Sequence, residues 1–165
     1  MITYKKATTD EIDEICGLVG RVKDTLVQNG IFQWDEIYPV REDFLEDIKK
    51  GQLYAGFING RMAVLYTLNK ECDAQYARGK WQKEDEPFCA VHRLCVEPDF
   101  QNKGIAKQTL LYIEEVLRKA DIHSVRLDVF SDNPFALKLY DSLGYARVGC
   151  CDWRKGKFYL MEKYF

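Results

Sequence analysis

Apolar residues at Ile12, Ile15, Cys16, Val19, Val22 and Leu26 recur mostly at steps of three and four, which predicts a helix with one buried stripe. Thr8, followed three residues on by Glu11, is a capping-box pattern that starts this helix near Thr9, and Asn29-Gly30 stops it. Before it, Ile2 to Lys6 alternates well enough for a strand. Arg41 to Lys50 reads as a short helix closed by Gly51. Leu53 to Ile58 and Met62 to Leu68 flank Asn59-Gly60, a pair that tolerates the positive φ a two-residue hairpin turn needs. From Phe88 to Val96 every residue but His92 and Arg93 is apolar or small, so a central strand buried on both faces is expected.

The second half continues the alternation of element types. Ala106, Leu110, Ile113, Leu117 and Ala120 mark a helix, and Val125 to Phe130 a strand with Val125, Leu127 and Val129 on one face and Arg126 and Asp128 on the other. Asn133 stands at an N-cap with Pro134 at the first helical position, and Ala136, Leu139, Tyr140 and Leu143 form a stripe before Gly144. Arg147 to Asp152 and Phe158 to Tyr164, joined around Lys155-Gly156, read as an antiparallel pair. Two stretches obey neither period. Ile31 to Pro39 carries Phe32, Trp34 and Tyr38, and Lys70 to Pro87 is a long polar connection ending in an acidic run that reads as a solvated face.

Composition narrows the function classes. The chain of 165 residues suits one domain, able to bury roughly 70% of its unfolded surface. Its 24 Lys plus Arg against 26 Asp plus Glu leave a formal charge of -2, which argues against a nucleic-acid-binding surface as the main business. No apolar run nears the ~20 residues that span a bilayer, and Met1 to Asp10 lacks the apolar core of a secretory signal, so a cytoplasmic protein without membrane partners is expected. Cys16, Cys72, Cys89, Cys95, Cys150 and Cys151 lack metal-ligand spacing and read as buried reduced thiols, with no metal site. Cys150 and Cys151 point to opposite faces of a strand.

Gln101-Asn102-Lys103-Gly104-Ile105-Ala106 lies between the central strand and a helix start. Backbone N–H groups without helical partners gather there, and the positive end of the helix dipole attracts an anion. A magnesium-nucleotide loop would need Ser or Thr after Gly-Lys; here Gly104 is followed by Ile105.

Taken together, Val96-Glu97-Pro98, Gln101 to Ala106, and Asn133 to Tyr140 followed by Gly144-Tyr145 resemble the acyl-CoA-binding half of the GNAT N-acetyltransferase superfamily, tightly over Cys89 to Tyr145. Ala106 replaces a glycine often found there, leaving less room beside the phosphate. The resemblance implies an α/β (α+β) fold, a mixed, mostly antiparallel sheet of six to seven strands with helices on both faces. It implies one domain over 1–165, with 1–88 shaping the acceptor site and 89–165 holding acetyl-CoA. The implied activity is direct acetyl transfer from acetyl-CoA, without a metal, to a primary amine of a small molecule or a peptide N-terminus. Many members are dimers, so a homodimer is among the assemblies it allows. A non-catalytic acyl-CoA-binding module on the same fold is the alternative from another class.

Residue by residue, the resemblance gives the backbone of Leu94, Cys95 and Val96 to the pantetheine arm, in the manner of an added strand. It gives the N–H groups of Gln101, Asn102, Lys103, Gly104, Ile105 and Ala106 to the pyrophosphate. Asn133 reaches the cofactor arm, although an N-cap role explains it equally well. Tyr140 matches the tyrosine that protonates the departing thiolate; its place on the apolar stripe equally suits a core residue. Asp128 matches a position where ribosomal-protein N-terminal acetyltransferases carry a glutamate as base. His92 and Glu97 are its rivals, the first reading as a satisfied core histidine and the second as solvated; an ion pair of Asp128 with Arg93 is the structural alternative. Trp34 and Tyr38 either line the acceptor pocket or form an aromatic lid over the core.

Overall fold

The computed structural model describes residues 1–165. In chain order the elements are β1 Thr3–Lys6, α1 Ile12–Gln28, α2 Arg41–Lys49, β2 Leu53–Ile58, β3 Arg61–Asn69, β4 Cys89–Val96, α3 Ile105–Lys119, β5 Ser124–Phe130, α4 Pro134–Ser142, β6 Ala146–Trp153 and β7 Gly156–Tyr164. The strands form a seven-stranded mixed sheet of order β1-β2-β3-β4-β5-β7-β6, mostly antiparallel, with β4 and β5 parallel. The fold class expected from the sequence is the one observed.

By compactness the chain divides into two units, residues 1–68 with 93–109 and residues 69–92 with 110–165. In the first, the stripe of α1 buries Ile15, Leu18, Val19 and Val22 with Phe44 of α2 against Leu53, Ala55 and Leu65 of the β2–β3 hairpin. The Thr8 N–H donates to Glu11 Oε2 at 2.9 Å, closing the capping box ahead of α1. Asn59 and Gly60 both take positive φ, 50° and 78°, as the tight hairpin requires.

In the second unit β5 pairs in register with β7 from Ser124↔Tyr164 to Phe130↔Phe158, and β7 in turn pairs with β6. Leu110, Ile113 and Leu117 of α3 and Val125, Leu127 and Val129 of β5 are buried as the periodicity requires. Cys150 is exposed and Cys151 buried, as alternation on a strand demands. The expectation of uniformly buried thiols is corrected at Cys72 and Cys150, which are exposed.

Two further expectations are corrected. β4 is not buried throughout: His92, Arg93 and Leu94 are half-buried, and Arg93 takes φ 52°, a left-handed conformation within the strand. Its parallel pairing with β5 covers Cys89↔Val125 and Ala90↔Arg126 and goes no further. The polar connection after β3 also has structure. It contains a turn of 3-10 helix at Ala74–Arg78 and buries Tyr76, which packs with Cys151 and Leu160. Trp81, Trp153 and Phe158 close around that cluster. No helix is long and apolar enough to cross a membrane.

Candidate active site

In the first unit the candidate site begins where β4 ends. The Glu97 N–H donates to the Ala63 carbonyl at 2.9 Å, Pro98 opens a single 3-10 turn, and Gln101 folds back so that its Nε2 donates to the Val96 carbonyl at 3.0 Å. Lys103 Nζ likewise turns inward, to the Asp99 carbonyl at 2.7 Å. Two of the side chains assigned to the loop therefore brace it, and what the loop offers outward is backbone. Asn102 and Gly104 take φ of 59° and 75°. The first bond of α3 runs from the Gln108 N–H to the Gly104 carbonyl at 3.0 Å, so the N–H groups of Ile105, Ala106 and Lys107 have no upstream helical partner. A Cβ at Gly104 would meet only Gln108 Nε2, at 3.8 Å; the glycine is there for its φ, not for space. Such a cradle fits a pyrophosphate.

The aromatic loop of the same unit is held from two sides. Asp35 Oδ1 accepts the N–H groups of Ile37 and Tyr38 at 3.0 and 3.1 Å, and Trp34 packs on the core of α1 and the hairpin. The Tyr38 hydroxyl accepts from an Arg93 terminal nitrogen at 2.8 Å. Arg93 is in turn clamped by Asp47, whose Oδ2 takes its Nε at 3.0 Å and a second guanidinium nitrogen, while the Thr67 hydroxyl donates to the same oxygen at 2.7 Å. The left-handed turn at Arg93 thus delivers a guanidinium into a buried ion pair that orients Tyr38. This pair was not legible in the sequence, where Asp128 stood as the structural partner of Arg93.

Glu97 is not solvated, contrary to expectation. It is 4% exposed, and Arg21 grips both its oxygens, Nε to Oε1 at 2.9 Å and a terminal nitrogen to Oε2 at 2.8 Å. A carboxylate held by a bidentate guanidinium is a poor proton acceptor.

In the second unit Asn133 caps α4, its Oδ1 accepting the Ala136 N–H at 3.1 Å. Tyr140 lies on the buried stripe of α4 and meets Tyr145 edge-on at 5.5 Å. Tyr145 donates weakly to Glu114 at 3.4 Å, and Glu114 is paired with Lys163 at 2.7 Å. No hydrogen bond joins the Tyr140 hydroxyl to another protein group, and the residue is buried; Arg126 Nε, 3.8 Å from Glu162 Oε1, is the one fully buried side-chain polar atom without a hydrogen bond. Burial first, and then the charge of Asp128, push the Tyr140 phenol well above its ordinary range, so it stays protonated. A core ring and an available proton coexist in one side chain.

Asp128 is half-buried on β5 and accepts the Tyr76 hydroxyl at 2.7 Å. Burial and then the Asp128 charge raise the Tyr76 phenol far above its usual value, so the proton stays on the tyrosine and the carboxylate is the acceptor. Sequence reasoning missed Tyr76; two aromatics, Tyr76 and Trp81, inside an otherwise polar connection were the available signal. His92 Nε2 faces the Asn69 Oδ1 at 3.0 Å and the Glu71 carbonyl at 2.9 Å. Facing two acceptors, that nitrogen carries the hydrogen and cannot take up another. The other ring nitrogen, Nδ1, is then the proton-accepting one in neutral His92. No group of three or more His, Cys, Asp or Glu side chains could hold a metal ion.

These parts match a known family. Residues 27–145 match the family model of the acetyltransferase (GNAT) family, and the chain belongs to that family. It is similar to S-(2-succino)cysteine N-acetyltransferase of Bacillus subtilis (strain 168), 24% identical over 164 residues, covering 97% of this chain and 93% of that protein. Among solved structures it resembles a GNAT-family acetyltransferase of Streptococcus agalactiae 2603, with TM-score 0.87 and 22% identity over 99% of this chain and 95% of the other. It also resembles the PaiA N-acetyltransferase of Thermoplasma acidophilum, solved in complex with coenzyme A, with TM-score 0.72 and 18% identity over 100% and 99% of the two chains. The protein is an N-acetyltransferase of the GNAT type.

Proposed function

We propose that the chain is a single acetyl-CoA-dependent domain, 1–165, that transfers acetyl directly to the primary amine of a small molecule. In this reading 1–88 shapes the acceptor site and 89–165 holds the cosubstrate. The observation that carries it is the pairing of opposite proton roles on β5 and α4: a carboxylate at Asp128 and a phenol at Tyr140 that keeps its proton and has no protein partner. Acetyl-CoA supplies the activated thioester. The backbone N–H groups from Gln101 to Ala106 hold its pyrophosphate, Leu94, Cys95 and Val96 align its pantetheine arm, and Asn133 adds a contact while capping α4. Trp34 and Tyr38 wall the acceptor, Tyr38 being fixed by Arg93.

Asp128 takes a proton from the acceptor's ammonium group, releasing the lone pair that attacks the thioester carbonyl. As the tetrahedral intermediate collapses and its C–S bond breaks, Tyr140 gives its proton to the leaving sulfur, and the extra proton on the acetylated nitrogen restores the phenol while Asp128 releases its own to solvent. Positioned acid or base catalysis of this kind contributes about 10²- to 10⁴-fold. Acetyl-CoA supply and free thiols suit a cytoplasmic setting.

A calorimetric titration with acetyl-CoA, compared with adenosine 3′,5′-bisphosphate and magnesium-ATP, followed by thiol-release assays over an amine panel, tests the reading. Micromolar acetyl-CoA binding and turnover with free amines is the expected result. A well-folded protein that ignores acetyl-CoA would overturn it. A second reading, acetylation of a peptide N-terminus, is favoured by Asp128 standing where ribosomal-protein acetyltransferases carry their glutamate; faster turnover of N-terminal peptides than of any free amine would establish it instead.

A further inference from the structure

We infer that Tyr76, carried in by the connection between β3 and β4, is a positioning residue for the base, its O–H holding the Asp128 carboxylate in one orientation and in its charged form. The inference rests on the reading of Asp128 as base and adds to it a residue from a segment that the family motifs do not reach.

The tyrosine is fixed on every side. Its ring stacks on Trp81 at 5.6 Å and 27° and meets Trp153 edge-on at 6.4 Å. Trp81 Nε1 donates back to the Tyr76 carbonyl at 2.9 Å, closing the turn on itself. The segment that follows is pinned to the sheet: Lys80 N–H to the Val148 carbonyl at 2.8 Å, and Gln82 N–H to Glu162 Oε2 at 2.7 Å. Arg126, on the same strand as Asp128, lies between the rings of Trp81 and Phe88, 4.6 and 3.9 Å from their centroids, and reaches the Lys83 carbonyl at 3.3 Å. A hydroxyl on so constrained a frame loses almost no freedom when it binds, which is what preorganising a catalytic carboxylate requires.

The Tyr76 hydroxyl reaches Asp128 Oδ2 directly, at 2.7 Å. Among the titratable groups that feel the Asp128 charge are Cys72 and Tyr76 from the connection, Tyr140 from α4 and Cys151 from β6; Arg126, further along β5, is paired with Glu162, and His92 of β4 packs near the Tyr76 ring. Burial pushes the thiol of Cys151 up to about 11, so it is neutral at working pH. Tyr76 donates to the carboxylate through a short O–H···O bond, and a donor to the charged form lowers a carboxyl pKa. Tyr76 keeps its proton throughout; the proton that moves is the one Asp128 takes from the ammonium.

Tyr76→Phe keeps the ring and removes the hydroxyl. Loss of the donor raises the pKa of Asp128, so the acidic limb of kcat/KM moves about one pH unit higher and activity below neutrality falls about tenfold, with KM for acetyl-CoA unchanged. Replacing Tyr76 with 3-fluorotyrosine, a stronger donor in the same fold, moves the limb the other way. Limbs identical to wild type in both variants overturn the inference. Asp128→Asn separates the two levels: if it abolishes turnover while the position-76 variants keep the wild-type profile, the base stands and Tyr76 is only structural. If Asp128→Asn turns over like wild type, the base assignment falls and the inference with it.

Discussion

Tyr140 shows how a residue can satisfy two demands at once. Its ring fills the stripe that buries α4, and its hydroxyl is left without a protein partner. Because burial raises its pKa, it holds its proton through neutral and mildly alkaline pH. Tyr140→Phe is therefore expected to lower kcat about 10²- to 10⁴-fold with little change in KM for acetyl-CoA, and any alkaline limb of the profile should survive the substitution. Disappearance of that limb in a pH series on the variant would identify Tyr140 as its source and contradict the raised pKa. At this scale the sequence was readable where the signal was local, as for Asn133 at the N-cap and Tyr140 on the buried stripe of α4. It was silent where a side chain's partner came from far along the chain, as in Arg21 with Glu97, Arg93 with Asp47, or Tyr76 with Asp128.

Among the elements, the turn from Gln101 to Ala106 was legible because its geometry is local: a glycine with positive φ ahead of a helix start. Gly104→Val places a β-branched residue at φ 75°, where the strain is conformational and the space is open. The expected outcome is at least a tenfold rise in KM for acetyl-CoA with far-UV circular dichroism unchanged; an unaltered KM would mean that the loop does not hold the cosubstrate. The connection between β3 and β4 was opaque for the complementary reason. Its polar composition speaks of solvent, and only the aromatic partners supplied by β6, β7 and His92 make Tyr76 and Trp81 bury. Likewise the run from Phe88 to Val96 could not reveal the left-handed turn at Arg93, since that conformation is stabilised by the ion pair it creates.

Over the whole molecule, burial of phenols ties stability to alkaline pH. Tyr76, Tyr140 and Tyr145 all have pKa values raised in the fold, chiefly by burial, above the 10.0 of a free phenol. Their neutral forms are favoured by folding, so this contribution is complete below pH 10 and is lost as the pH climbs from there toward the folded values. Of the ten tyrosines, these three should ionise together with unfolding. Tyrosinate absorbance followed beside circular dichroism checks this: a titration of all ten near pH 10 with structure intact would refute it. The order of elements and the mixed sheet were open to sequence reading because alternating periods and hairpin signals are repeated along the chain.

One small feature of β6 bears on everything that the connection carries. Opposite Gly149, a Cβ would stand 2.8 Å from the Arg78 carbonyl oxygen and 3.2 Å from the Gly79 Cα, and the neighbouring Val148 carbonyl receives the Lys80 N–H. Main chain lies against main chain there, with no side chain as spacer. A single methyl group at position 149 would act as a wedge, lifting the far end of the turn that bears Tyr76 while leaving every residue assigned to acetyl transfer untouched. If Asp128 has the proposed role, that role is answerable to the smallest side chain on β6, and a search for activity-altering variants confined to polar residues would pass it by.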